Sequence, residues 1–102
     1  MEISQQKLEK FIKKLFDVIK PNGVSDIEFD LSPTNLDNEY YMGINYIVPN
    51  DSNILKMNKS ELHYLRNDWG YEIKKTIKDY FNVDIIINST AISSESFHNK
   101  IR

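Results

Sequence analysis

The chain has 102 residues, 13 lysines and arginines against 15 aspartates and glutamates, a formal net charge of −2, and no cysteine. A chain this short supports one domain with one modest core, burying roughly two-thirds of its unfolded surface, so residues 1–102 are read as a single α/β domain. The missing cysteines exclude disulfides, thiolate chemistry and Cys-based zinc sites, no apolar stretch approaches a membrane span, and 40% hydrophobic with 27% charged residues excludes the disordered class; an intracellular setting is the expectation.

Ser4 is placed to cap a first helix whose apolar residues fall at Leu8, Phe11, Ile12, Leu15, Phe16 and Ile19, the spacing of one buried stripe. Pro21-Asn22-Gly23 ends it. Ile27, Phe29 and Leu31 then alternate with Asp26, Glu28 and Asp30 in the period of a strand with one face buried. A second strand follows a loop over Ser32 to Asn38, with Tyr40, Met42, Ile44, Tyr46 and Val48 on one face and Tyr41, Gly43, Asn45 and Ile47 on the other.

Ser60 is expected to cap a second helix whose stripe of Leu62, Leu65, Trp69, Ile73, Ile77 and Phe81 keeps phase across Gly70, which predicts one continuous helix. Breaking it at Asn67-Asp68-Trp69-Gly70 is the competing reading. Val83 to Ser89 is rich in β-branched residues and reads as the third strand, with 90–102 as a loose tail. The resulting fold class is α+β: a two-layer α/β sandwich of order α-β-β-α-β, with both helices on one face of a small three-stranded sheet.

Charge is unevenly spread along this plan. Pro21 to Leu55 holds Asp26, Glu28, Asp30, Asp37, Glu39 and Asp51 and no lysine or arginine, while the helices carry Lys7, Lys10, Lys13, Lys14, Lys20, Lys74, Lys75 and Lys78. A hairpin pairing Leu31 near Tyr40 opposes Phe29 to Met42 and Ile27 to Ile44 on the core side and leaves the acidic residues on the other. Two helices shield one side of a sheet, so Asp26, Glu28 and Asp30 are expected on the uncovered side beside Asp84, Ile86 and Asn88. Such a face is either a solvated surface or a docking surface. In the docking reading Asp26, Glu28 and Asp30 select a basic partner, while Tyr41, Ile47 and Ile86 serve as anchors. The partner is another protein or further copies of the chain itself.

Motifs for chemistry are missing. Glu61 and His63 are two apart and cannot share a helical face, Asp68 and Glu72 alone make a weak cation pair, and there is neither a G-x-S-x-G elbow nor a glycine-rich phosphate loop. No catalytic residue, metal or cofactor is therefore expected. Arginine is restricted to Arg66 and Arg102 while Lys, Ile and Asn abound, the footprint of an AT-rich genome such as a phage's or an AT-rich bacterium's. The expectation is a non-enzymatic protein-interaction or structural subunit of a larger assembly, with a small accessory protein of a phage virion as one setting.

The α-β-β-α-β order is also similar in outline to type II KH domains and to ribosome-binding factor A. That resemblance implies an RNA- or ribosome-associated factor. The G-x-x-G loop of KH domains has no counterpart here, so phosphate contacts would fall to Lys7, Lys10, Lys14, Lys74 and Lys78 on the helices.

Overall fold

Residues 3–100 are described by the computed structural model, which arranges them as three α-helices, a short 3₁₀ turn and a three-stranded mixed sheet in the order α-β-β-α-β-α. The first helix, α1 (Gln5–Val18), begins where the Ser4 hydroxyl accepts the Lys7 N–H at 3.3 Å. Its Leu8, Ile12 and Phe16 are buried against the sheet. The chain leaves the helix at Ile19 and turns through Gly23 at φ +85°, a conformation that favours glycine.

Strands β1 (Asp26–Pro33) and β2 (Glu39–Val48) form an antiparallel hairpin. Its register departs by two residues from the expected one: Leu31 opposes Met42, Phe29 opposes Ile44 and Ile27 opposes Tyr46. The cause lies in the connection, which is shorter than the expected Ser32–Asn38 loop because Ser32 and Pro33 remain in β1. Thr34 closes the hairpin by donating its N–H to the Glu39 carbonyl and its hydroxyl to Glu39 Oε1, and Asn38 takes the left-handed conformation. A slip of two leaves every side chain on its expected face.

Helix α2 (Lys59–Phe81) runs unbroken through Gly70 and is capped by Asn58, whose Oδ1 accepts the Glu61 N–H at 2.9 Å, rather than by Ser60. Gly70 is buried where the helix crosses Ile87; a Cβ there would lie 3.4 Å from Ile87 Cδ1, an ordinary contact. Asn82 ends the helix at φ +54°.

Strand β3 (Asp84–Ser93) lies parallel to β2, which makes β2 central and leaves β1 and β3 as the edges. It runs four residues past the expected end at Ser89 and leads into α3 (Ser94–Lys100), so the expected loose tail is corrected as far as Lys100; Ile101 and Arg102 lie outside the described residues. Local bonds explain the order. Thr90 Oγ1 donates to Asn45 Oδ1 at 2.6 Å, Ser94 Oγ donates to the Val48 carbonyl, and the Glu95 N–H donates to Asn50 Oδ1.

Helices α1 and α2 cover one face of the sheet. The core between the layers joins Leu8, Ile12, Phe16, Ile73 and Ile77 to Ile27, Leu31, Met42, Ile44, Tyr46, Val48, Val83 and Ile85, with Val24 and Ile54 closing one end. Ile19, Phe29, Leu65, Trp69 and Ile87 are half-buried at its margin. No helix is long and apolar enough to cross a membrane among the described residues.

Candidate functional site

The face of the sheet away from α1 and α2 is laid out by the strand register. Asp26, Glu28 and Asp30 lie in a row along β1 and are all exposed. Gly43 opposes Asp30, and a Cβ at Gly43 would collide with Asp30 Oδ1. The glycine thus lets the carboxylate lie across the neighbouring strand. The only ion pair among the described residues is Lys78–Asp84 at 3.0 Å, so none of the three β1 carboxylates is held in an ion pair there.

Beside this row, Tyr41 and Ile86 are register partners on β2 and β3 and are 52% and 44% exposed. They form one contiguous aromatic and aliphatic step next to the acidic row. Ile47, the third expected anchor, is not available: it is only 4% exposed. Its register partners are Asp26 and Ile92. The 3₁₀ turn (Asn53–Lys56), α1 and α2 contribute their buried residues to the opposite face, leaving α3, which contacts β2 and β3, to close this end. The uncovered face is therefore shorter than expected and terminates near the Asn45–Thr90 hydrogen bond.

The five lysines proposed as phosphate contacts are not gathered in one place. Lys7, Lys10 and Lys14 are exposed on α1, and Lys10 lines a groove between α1 and β1 with Lys13 and Lys20, facing Glu9, Asp17, Asp26, Glu28 and Asp30. Lys74 and Lys78 line a second groove, between α2 and β3. These grooves follow opposite edges of the sheet, and Lys78 is engaged by Asp84.

The α2–β3 groove also holds two cations that were not singled out from the sequence, Arg66 and Lys75. A usable signal exists in the four-residue spacing of Arg66, Gly70, Lys74 and Lys78, which sets them along one face of a helix. Arg66 is half-buried and its Nη1 donates to the Ser89 carbonyl, while its Nε has no partner. Behind it, Tyr46 is fully buried with its ring centroid 4.7 Å from that of Trp69 and its hydroxyl unpartnered. Burial pushes the Tyr46 phenol up to about 12, against the opposing pull of the Arg66 charge.

Asp26, Glu28 and Asp30 are exposed along the uncovered face and also border the α1–β1 groove, and among the described residues no three His, Asp or Glu side chains are grouped to hold a metal ion. Compared with known proteins, the chain matches no family model, no curated protein and no solved structure.

Proposed function

We propose that the chain is a non-enzymatic protein-interaction subunit of a larger assembly and that it docks through the uncovered face of its sheet. One observation carries this reading: Asp26, Glu28 and Asp30, none of them in an ion pair among the described residues, run along one sheet face towards the exposed Tyr41–Ile86 step, with Asp30 diagonal to Tyr41. The carboxylates select a basic partner and raise the encounter rate, while the apolar step provides the contact that holds it. The lysine-rich composition of an AT-rich source fits an accessory protein of a phage particle as one setting.

Native mass measurement of the protein, alone and drawn from its source extract, tests the assembly. A mass above that of the free chain is expected in the extract, and a free monomer in both settings overturns the reading. Replacing Asp26, Glu28 and Asp30 together with serine tests the surface. Folding stability should change by only about half a kcal/mol per exposed site, while assembly weakens and loses its dependence on salt. Normal assembly of that variant at every salt concentration would reduce the acidic row to a solubility device.

RNA association is the second reading, supported by Arg66, Lys74, Lys75 and Lys78 in one groove. Phosphate contacts there would make binding fall steeply with salt. A titration with structured and single-stranded RNA at low salt that shows no binding removes it.

A further inference from the structure

The α2–β3 groove pairs a row of cations with the free edge of a strand. β3 is the outer strand of the sheet, and the Asp84 N–H donates inward to the Asn38 carbonyl at 2.9 Å. Peptide groups alternate in direction along a strand, so Asp84, Ile86 and Asn88 turn theirs to β2 while Ile85, Ile87 and Ser89 turn theirs away from it. The last three line the groove. Arg66 already uses this outward edge, since it donates to the Ser89 carbonyl from α2. Among the described residues, the Ile85 and Ile87 amides and carbonyls and the Ser89 amide remain as a ladder without a second side.

The helical wall of the groove is basic. Arg66, Lys74, Lys75 and Lys78 line it against Asp79 and Asp84, with exposed Tyr71 among them. Gly70 adds no side chain to the wall, which keeps the approach to Ile87 shallow.

We propose that this groove binds an extended acidic peptide segment of a partner protein by strand addition to β3. The main chain of the segment completes the ladder at Ile85, Ile87 and Ser89, and its alternate side chains, carboxylates on the helix side, meet Lys74 and Lys75. Charge argues against a second copy joined edge to edge through β3. Joined through β3 with its helices on the same side, it would bring its own α2 lysines against these. Joined through β1, it would bring Glu9, Asp17, Asp26, Glu28 and Asp30 along with Lys10, Lys13 and Lys20, a mixed edge whose lysines would meet Lys74 and Lys75; such pairing would double the mass of the peptide-free protein, a result that would overturn the proposal. An isolated peptide carries no such helix. The site lies at a sheet edge, apart from the acidic face, and does not depend on the function proposed for that face.

The test is a titration of isotope-labelled protein, followed at the backbone amides, with peptides of about eight residues, a usual strand length. The probes are an alternating glutamate–valine peptide, its lysine–valine counterpart, the glutamate–valine peptide N-methylated at alternate amides, and a single-stranded oligouridylate. Saturable shifts at Ile85, Ile87 and Ser89 are expected with the unmethylated acidic peptide alone. Lys74→Glu with Lys75→Glu, both exposed positions, should weaken that binding by about tenfold while the amide spectrum stays folded. The Asp26, Glu28 and Asp30 serine variant should bind as the parent does, which separates this site from the acidic face. Equal binding of the lysine or N-methylated peptide, shifts centred away from β3, tighter binding of the oligouridylate in the groove, or no saturation by about 1 mM acidic peptide would each overturn the proposal.

Discussion

On the helix side of β2, Met42, Ile44, Tyr46 and Val48 are buried and Tyr40 is half-buried; on the other side Tyr41 is exposed, Gly43 and Asn45 are half-open, and Ile47 alone is buried. Both sets alternate along the same ten residues. What separates them is the element lying above. Two long helices cover the first face from end to end, whereas a seven-residue helix, α3, covers only one end of the second. Carboxylates follow the same division: the acidic residues of β1 stand on the face that the long helices leave free, where water solvates them. The sheet therefore has a dry side that stabilises the fold and a wet side free to select partners.

The largest effect is expected on the dry side. Trp69 sits at the core margin against Tyr46, and Trp69→Ala should lower unfolding free energy by about 3 kcal/mol, read by urea titration. A variant as stable as the parent would show that the α2 stripe contributes nothing to the covered side. At the closed end of the wet side, Ile47→Ala should cost about 2 kcal/mol and loosen α3, seen as faster hydrogen exchange in residues 94–100. If exchange there stayed unchanged, α3 would not depend on Ile47 and the two faces would differ more than described.

The smallest effect concerns the buried phenol. Tyr46 titrates near 10 when unfolded and is raised to about 12 in the fold, so the folded state favours the protonated form. Its contribution is fully present below pH 10 and is lost as the pH rises from there towards 12. Near pH 11 the loss should be about 1.4 kcal/mol. Tyr46→Phe should remove this part of the alkaline slope and, because the hydroxyl has no partner, should leave neutral-pH stability within about 1 kcal/mol of the parent. An unchanged alkaline slope in the variant would show that Tyr46 is not the titrating group.

The element order and the two faces of the hairpin were legible because apolar residues recur at 3.6 and at 2, and because the Asp26, Glu28 and Asp30 row cannot be buried unpaired. The exact pairing was not, since registers two residues apart place the same side chains on the same faces, and only the Thr34–Glu39 bonds of the loop choose between them. The burial of Ile47 is not legible for a related reason: it lies at the end of the sheet that α3 contacts, and α3 is a short polar helix with no apolar repeat to announce it. The extension of β3 past Ser89 likewise depends on Thr90 reaching Asn45, a contact between residues 45 positions apart. Arg66 was passed over because its role depends on a carbonyl of a strand that pairs elsewhere in the sheet.

The parallel pairing of β2 with β3 also sets the order in which the molecule can be built. The hairpin closes over a five-residue connection, whereas β3 reaches β2 only after all of α2 has been made, so it pays a much larger loop-closure entropy and pairs late. During synthesis the central strand emerges with one edge paired and the other bare. Until β3 leaves the ribosome, Tyr40 to Val48 present an unpaired, apolar strand edge to any neighbour, the hazard associated with aggregation of nascent sheets. The chain is most exposed to misassembly in the interval before β3 arrives, and conditions that slow synthesis there should lower its soluble yield.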